Sequence, residues 1–333
     1  MSDWGKGVIN NIGWGQGANN DIGWGSIYDK SNAGETLLSG SGYNAFTIEV
    51  KTDNAGTSND NQFQFTGAQG DYDVVAKQND IVVATFNDLS GEQTITLPSS
   101  GIYVLEVSAK EVNGFNRIAF DNGGDKDNII DIKQWGEVAW SSFERAFFGC
   151  SNMLVTATDI PDLSLVTSMN RMFRNTSIAN PDTSNWDVSS VTDMSFMFLS
   201  ATSANPNTSN WDVSNVTDMI LMFFFASSAN PDVSNWDVSS VTNMSNMFYK
   251  ATSANPNTSN WDVSNVVSMS RMLEDSNLSV ENLTACYENW SQLNLQQNVS
   301  FSAGSTKYNA SGQAGRDILV NTYNWTIEDG GQV

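Results

Sequence analysis

The sequence of 333 residues contains no histidine, only 15 lysine and arginine residues against 37 aspartate and glutamate residues, and only two cysteines. The absence of histidine removes the side chain that most often acts as a general base or as a metal ligand near neutral pH. The formal net charge of −22 argues against nucleic acid as a partner, because phosphate groups are bound mainly by lysine and arginine. The same charge argues against binding to anionic membrane surfaces.

Long apolar runs and a leader segment are also missing. The sequence has no stretch of about 18 apolar residues, so we expect no transmembrane helix and no membrane insertion. Residues 1–6, MSDWGK, lack the basic and apolar regions of a signal peptide. We therefore expect no signal peptide, and a protein of this kind would need another route to the outside of the cell.

A 25-residue repeat dominates residues 166–273. Such a period is typical of folds in which each unit stacks on its neighbours, because one unit cannot bury its apolar face alone. There are four clear units, a fifth with Leu273 in place of phenylalanine, and a degenerate leading unit near residues 143–147. The residues that keep the spacing are Trp186, Trp211, Trp236 and Trp261, Pro181, Pro206, Pro231 and Pro256, and Met172, Met197, Met222, Met247 and Met272.

Each unit has two halves with different patterns. Met194, Met197 and Phe198 place apolar residues at positions i, i+3 and i+4, which is typical of one face of a short helix. The other half, for example PNTSNWDV at 206–213, begins with a proline, where a strand tolerates one. The pattern predicts an α/β leucine-rich-repeat-like solenoid of strand–helix units, which with a C-terminal cap occupies residues 121–333.

The region before the repeats is predicted to form two further parts. Residues 1–43 are a Gly/Trp-rich arm, and residues 44–120 read as a small β-sandwich because short alternating segments are separated by turn residues. The predicted strands are 46–50, 62–65, 72–76, 81–86, 94–97, 102–107 and 118–120. In the cap we predict helices at 280–290 and 311–319 and strands at 299–302 and 323–327.

Cys150 and Cys286 are each predicted to be a free thiol in the core. Cys150 occupies a small-residue position of the repeat, whereas Cys286 follows the last unit. They would lie at opposite ends of a stack of about five units spaced about 4.8 Å apart, which exceeds the reach of a disulfide.

Several motifs resemble the BspA-type leucine-rich repeats of bacterial surface proteins. They are the repeated pattern NWDVSxVTxMxxMF, Gly136 with the segment QWGEVAW at 134–140, and the segment FGCSNM at 148–153. The resemblance spans roughly residues 44–328. It implies a surface-exposed binding or adhesion module, and it implies neither an enzyme nor a defined ligand.

The N-terminal arm carries Trp4, Trp14 and Trp24 at a spacing of ten residues, each followed by glycine. Glycine at this density does not support a stable helix, whereas large aromatic side chains anchor interfaces. We therefore predict that the arm docks on a partner, with a flexible linker as the alternative. The segment GWGQGANNDIGWGSIY at 13–28 is similar to N-terminal segments of structural proteins from bacteriophages of Bacteroidetes hosts. That similarity implies that the three tryptophans anchor the chain to other virion proteins.

Polar and aromatic residues that recur in every unit are predicted to have structural roles. Catalytic carboxylates would form a specific pair in distinct environments, so an aspartate in each unit favours turn hydrogen bonds, with calcium binding as an alternative. We expect the tryptophans in the core, although stacked rings could also form a platform for sugars, and we expect the recurring asparagines to bond loop backbone. The acidic segment 121–127 reads as a turn rather than a calcium loop. We predict no catalytic residue, cofactor or metal site. The residues concerned are Asp187, Asp212, Asp237 and Asp262, and Asn185, Asn210, Asn235 and Asn260.

One set of outward positions differs between units. It is charged or polar in the first and last units and apolar in the middle ones, and such a patch with a polar rim usually marks an interface. We predict a protein–protein contact there, with a subunit, another virion protein or a receptor; the alternative is that another part of the chain covers the patch. The predicted contact residues are Phe196, Leu199, Leu221, Phe224, Phe225 and Tyr249.

Three functions stay open at this point. The first is a non-enzymatic bacteriophage virion protein, namely a tail fibre, head fibre or capsid decoration, which presents its repeats to a host surface protein or glycan. We expect it to be a homo-oligomer, with a trimer as the default for a fibre. The second is a BspA-type adhesin on a bacterial cell surface, which requires an export signal. The third is a virion-borne glycan depolymerase, which requires a unique acidic pair that we do not find outside the repeats.

Overall fold

The computed structural model describes residues 44–110 and 114–333. The predicted anchoring arm with Trp4, Trp14 and Trp24 lies outside these residues. The described strands are β1 (Phe46–Lys51), β2 (Gln62–Gln64), β3 (Asp71–Gln78), β4 (Ile81–Ser90), β5 (Thr94–Thr96), β6 (Ile102–Ala109), β7 (Ile129–Gln134), β8 (Leu154–Val155), β9 (Ser300–Ser302) and β10 (Thr326–Glu328). The α-helices are α1 (Val280–Trp290) and α2 (Gln313–Asn321), and neither has the length and apolar character that crossing a membrane requires.

A six-stranded sheet organises the region before the repeats, in the order β4-β3-β6-β1-β7-β8. Its pairs are antiparallel except β7–β8, which is parallel. Alternate residues of the inner strands are buried, as the two-residue period of a strand requires, and they include Ile48, Val74 and Leu105. The sheet continues past residue 120 into β7 and β8, and β2 and β5 form a separate two-stranded sheet. This arrangement differs from the predicted β-sandwich, while the division of the chain at residues 43 and 120 stays a prediction.

The acidic segment 121–127 is a turn, as predicted. The carboxylate of Asp125 is fully buried and accepts hydrogen bonds from the backbone N–H groups of Thr57 at 2.9 Å, Ser58 at 3.0 Å and Gln64 at 2.7 Å. The hydroxyl of Ser58 also donates to it. A carboxylate that is saturated with donors fixes the loop before β2 and has no lone pair left for a calcium ion.

The repeats form a stack of turn-rich units. In each unit the backbone N–H groups of alternate residues donate to carbonyl groups 24 positions further on, in the next unit. The N–H of Phe198 donates to Met222 at 2.9 Å, and the N–H of Phe223 donates to Met247 at 2.8 Å. Single parallel bridges also join consecutive units along the line Ser168, Asp193, Asp218, Asn243 and Ser268.

The predicted α/β leucine-rich-repeat-like solenoid of strand–helix units is therefore wrong. Between residues 135 and 279 the structure has only the two-residue strand β8 and no helix. Every second N–H group that a helix would use within one unit donates to the next unit instead, and those between donate three residues back. Phe196 and Leu221 also have φ angles of 61° and 54°, which a right-handed helix does not contain. The apolar i, i+3, i+4 pattern is satisfied by consecutive tight turns, in which the N–H of Met197 bonds to Met194 at 3.3 Å.

The interior of the stack is built from the residues that recur at every unit. The rings of Phe198 and Phe223 lie 5.4 Å apart and within 4° of parallel, and Phe223 and Phe248 lie 5.3 Å apart. Cys150 and Cys286 are both free and buried, as predicted. A core of identical side chains stacked in register resists substitution by residues of another size, because each one packs on two copies of itself.

The C-terminal segment covers the last unit. Helix α1 has the predicted bounds and begins after Ser279, whose hydroxyl accepts a hydrogen bond from the N–H of Asn282 at 3.2 Å. The indole N–H of Trp290 donates to the carbonyl of Thr258 at 3.0 Å. The tryptophans of the repeats likewise donate to a carbonyl of the preceding unit. Strand β9 takes the place of a further unit, because the N–H of Leu273 donates to Ser302 at 3.1 Å.

Candidate binding face

The predicted contact residues lie on one side of the stack, at the outer corners of the tight turns. We call this surface the aromatic–cationic face. Leu221 and Phe225 adopt left-handed conformations, and Phe224 lies between them. The same three turn positions recur in every unit, so side chains from successive units form rows. The face consists of Arg171, Arg174, Phe196, Leu199, Leu221, Phe224, Phe225, Tyr249, Lys250 and Arg271.

Exposure varies across the six predicted residues. Phe225 is 39% exposed, whereas Leu199 is 9% exposed and belongs to the buried class. Phe196, Leu221, Phe224 and Tyr249 are half-buried. The rings of Phe224, Phe225 and Tyr249 form one cluster, with centroids 4.7 to 5.8 Å apart. The structure thus places these three rings in contact and leaves the outermost one open to solvent; their role in an interface stays a prediction.

Cations lie over the rings at both ends of the face. The guanidinium of Arg171 is 4.4 Å from the ring centre of Phe196, and Arg174 is 4.7 Å from that of Phe148. At the other end, the ammonium of Lys250 is 5.0 Å from the ring of Phe225. Each such contact contributes roughly 0.5–1 kcal/mol at an exposed site, so the rings hold the charged groups in place.

Arg171, Arg174 and Lys250 have no carboxylate within 4.0 Å in the part of the chain that the structure describes. Most other described lysines and arginines do have one: Lys51, Lys77, Lys110, Lys126, Lys133, Arg145, Arg271 and Arg316. The Nε atom of Arg174 is also buried without a hydrogen-bond partner there. Burial, together with the neighbouring Arg171, lowers the pKa of the Arg174 guanidinium. Three unpaired cations are thus gathered on one face of a chain rich in carboxylates.

The distribution of charge along the repeats is equally uneven. Residues 141–290 contain five basic residues, and all five lie at the outer turn positions of the stack: Arg145, Arg171, Arg174, Lys250 and Arg271. The acidic residues of the same segment are three times as numerous and lie mainly elsewhere in the unit. The positive charges of the repeats are therefore concentrated at the outer turns, where the last unit also carries Glu274, 3.7 Å from Arg271, and the exposed Asp275.

The tryptophan row is part of the core, as expected, and the alternative of a sugar-binding platform is wrong. Trp211 and Trp236 are 4% and 3% exposed, and their rings lie 6.3 Å apart within 5° of parallel. Their indole N–H groups donate to the carbonyls of Thr183 and Thr208, each at 3.2 Å. A ring buried on both faces offers no surface on which a sugar could stack.

The aspartate row forms turns, as predicted. The carboxylate of Asp187 accepts the backbone N–H of Ser189 at 3.1 Å and its hydroxyl at 2.6 Å. Asp212, Asp237 and Asp262 accept the same backbone bond from the serine two residues on. The Ser189 hydroxyl, followed by its N–H, lowers the pKa of Asp187. Among the described residues, no group of three His, Cys, Asp or Glu side chains could hold a metal ion.

The asparagine row was assigned partly to the wrong residues. Of the four predicted asparagines, Asn210 bonds to the carbonyl of Ser184 at 3.4 Å. The continuous ladder is made instead by the asparagines before the prolines: Asn205 accepts from the N–H of Asn230 at 2.8 Å, and Asn230 accepts from Asn255 at 2.9 Å. The Asn-Pro pair recurs in every unit, and this recurrence in the sequence could have identified the asparagines that form the ladder.

Comparison with known proteins gives one match. A family model described as "Mycoplasma protein of unknown function, DUF285" matches residues 141–231 and 167–290, which together are less than half of the chain. The match is compatible with a BspA-type surface protein and gives no link to bacteriophage proteins. No curated protein and no solved structure matches the chain.

Proposed function

We propose that this chain is a non-enzymatic binding protein that makes its contact through the aromatic–cationic face. We further propose that it is a bacteriophage virion protein, a tail fibre, head fibre or capsid decoration, which the N-terminal arm anchors to the particle. The contact would be to a sibling subunit, to another virion protein, or to a host surface protein or glycan.

One comparison within the chain carries the proposal for the face. The turn position of Phe196 and Leu221 is occupied by Arg171 and Asn246 in the flanking units, with φ angles between 54° and 61° in all four. The backbone therefore accepts polar residues at this position. Phe196 and Leu221 are not needed to form the turn, and partly exposed apolar side chains that the fold does not require support a role in binding.

The test replaces Phe224 and Phe225 with serine and measures the mass of the full chain by light scattering and its retention on whole Bacteroidetes cells. The matched control replaces Ile160 and Leu165, which are 52% and 59% exposed and lie on another part of the unit. We expect the first variant to lose mass or retention and the control to lose neither. Unchanged mass and retention in both variants exclude a sibling subunit and a host surface molecule, and if incorporation into phage particles is also unchanged, the proposed contact is wrong.

The virion assignment is supported by the similarity of residues 13–28 to phage structural proteins, and it needs its own test. Serine replacements of Trp4, Trp14 and Trp24 should prevent the protein from joining phage particles. Retention of the variant at native levels in purified particles would contradict an anchoring role for these residues.

A BspA-type adhesin on the bacterial cell surface is the second candidate, and the family match over residues 141–290 favours it. Antibodies against the chain would then label intact producing cells and leave phage particles unlabelled. A glycan depolymerase is the third candidate, and release of reducing ends from host glycans by the purified chain would favour it over both binding functions.

A further inference from the structure

We infer that Arg171 and Arg174, at the first end of the aromatic–cationic face, form a binding site for an oxyanion, namely a carboxylate, sulfate or phosphate group of the ligand. This site rests on the proposed function of the face and deepens it, because it names the chemical group that the face would bind. Aromatic rings hold both side chains in place, and one of the two guanidinium groups has a buried donor without an acceptor.

The positions of both guanidinium groups are fixed by neighbouring rings. Arg171 lies 4.4 Å from the ring centre of Phe196, and Arg174 lies 5.8 Å from the same ring centre and 4.7 Å from that of Phe148. The N–H donors of a guanidinium lie in its plane, so packing against a ring does not use them. Two cations are therefore positioned beside one ring before any ligand arrives, which lowers the entropy cost of binding.

Arg174 lacks the partners that other arginines of the chain have. Its Nε atom is buried and has no acceptor among the described residues. The Nε atoms of Arg117 and Arg145 also lack one, but Arg145 pairs with Asp121 at 2.8 Å and Arg117 donates through Nη2 to a backbone carbonyl at 3.5 Å. Buried donors without an acceptor are rare in folded proteins because each one costs free energy. A ligand that brings an acceptor to Arg174 would remove this cost.

The charges of the two arginines also add up without compensation. Arg171 donates to Oδ1 of Asn170 at 2.5 Å, and this neutral acceptor leaves its charge in place. Burial, together with the charge of Arg171, lowers the pKa of Arg174, so Arg174 has lost part of its hydration and is repelled by its neighbour. A bound oxyanion would offset both effects, and arginine suits the role because it can donate two parallel N–H···O bonds to a carboxylate or phosphate.

The last unit shows how the same turn looks when the chain supplies the anion itself. Arg271 occupies the turn position of Arg171, with φ angles of 53° and 57°. Three residues further on, the last unit has Glu274 where the first has Arg174, and Glu274 lies 3.7 Å from Arg271. Arg271 is thus paired within the chain, whereas Arg171 meets a second cation. An anion from outside is therefore favoured at the first end of the face.

The site can be observed one arginine at a time by NMR of the full chain with isotope-labelled arginine. The labelled residues are Arg117, Arg145, Arg171, Arg174, Arg271 and Arg316. The titrants are sodium sulfate, sodium phosphate and sodium glucuronate, with sodium chloride added to keep the ionic strength constant. We expect the Nε–H signals of Arg171 and Arg174 to follow one saturation curve with a midpoint on the order of 1–10 mM. Arg316 is the internal control, because its Nε already donates to Asp329 at 2.6 Å.

Substitutions separate a site from a general effect of salt. Arg174→Gln resembles Glu274 at the same position of the last unit, and Arg171→Asn copies Asn246, so both turns should form. Each change should weaken binding at the remaining arginine at least about tenfold, because hydrogen bonds between charged groups are lost. The matched control is Lys250→Asn, which removes a cation from the other end of the face and should leave the midpoint unchanged.

The order of the three midpoints identifies the natural group. A lower midpoint for glucuronate indicates a carboxylate, and a lower midpoint for sulfate or phosphate indicates an ester of that acid. Shifts of the Arg171 and Arg174 signals that follow the chain concentration alone would support the site and show that a second copy supplies the carboxylate.

Three results would overturn the inference: no shift beyond that of Arg316 with any of the anions, shifts that rise without saturation, or variants at Arg171 and Arg174 that bind as the native chain does. None of these decides the proposed function of the face, because the Phe224 and Phe225 variant tests the contact without added anions. Saturable anion binding in a chain whose Phe224 and Phe225 variant keeps native mass, retention and incorporation would support the oxyanion site and reject the proposed contact.

Discussion

Whether the repeats contain tight turns or short helices can be decided by a pair of substitutions at Leu221. Its φ angle of 54° lies in the left-handed region, where a side chain costs about 1–2 kcal/mol. Alanine bears that cost, whereas glycine does not, although glycine loses roughly 0.5–1 kcal/mol more in backbone entropy. We therefore expect Leu221→Gly to be more stable than Leu221→Ala by about 0.5–1 kcal/mol. A helix would give the opposite order, because alanine is favoured over glycine by about 1 kcal/mol in a helix.

Phe224 is the matched control, because it is half-buried on the same turn and its φ lies outside the left-handed region. There we expect the alanine variant to be the more stable one by about 0.5–1 kcal/mol. The measurement is urea unfolding followed by tryptophan fluorescence, with the free energy taken from the shift in midpoint and the slope. The reasoning is refuted if alanine is the more stable residue at both positions, since the turn at Leu221 would then not be left-handed.

Three further predictions concern the rest of the stack. Burial, and to a smaller extent the nearby carboxylate of Asp193, raises the pKa of Asp218 in the folded chain above its value in the unfolded chain. The contribution of Asp218 to stability is therefore present below the unfolded pKa and is lost as the pH rises through the folded pKa. Asp218→Asn, which copies Asn243 one unit on, should therefore gain stability over the native chain between acidic and neutral pH in urea titrations, and no gain would contradict this account. Asn230→Ala should lower the free energy of unfolding by roughly 0.5–1.5 kcal/mol, because the N–H of Asn255 loses its acceptor at 2.9 Å, and an unchanged urea midpoint would rule the ladder out as a stabilising feature. Burial raises the pKa of Cys286 to about 12, so its thiol should resist an aromatic disulfide reagent at pH 8 in the folded chain and react once urea unfolds it; rapid labelling of native protein would contradict its burial.

The strands of the N-terminal sheet and the C-terminal helix could be predicted because their local patterns admit one answer. Helix α1 has the predicted bounds, and alternating segments such as β3 and β6 lie where the two-residue period placed them. Strand β7 was not predicted, because its sequence, IIDIKQ, runs between the acidic turn and the QWGEVAW segment and no element was assigned there. The predicted strand at 118–120 is irregular, with a single bridge from Arg117 to Gln69 beside it.

The repeats were assigned the wrong local structure for a different reason. Met194, Met197 and Phe198 show which side chains are buried, and both a helix and a series of tight turns bury residues at i, i+3 and i+4. A helix and these turns differ in where the backbone N–H groups donate, and here every second N–H group donates to the next unit. A single unit carries little trace of that choice, because its partner is another copy of itself. The local hints are Gly149, Asn175, Asn246 and Asp275, which have positive φ angles at these turns, since glycine, asparagine and aspartate tolerate left-handed conformations better than most residues.

The chain supplies its own comparison between residues that the fold requires and residues that it does not. Where all units agree, as at the buried phenylalanine row, the side chain packs on its own copies, so a change in one unit leaves a misfit with two neighbours. Where units differ on an unchanged backbone, as from Arg171 through Phe196 and Leu221 to Asn246, the turn does not dictate the side chain. Substitutions at these positions can therefore test the proposed contact without disturbing the turn.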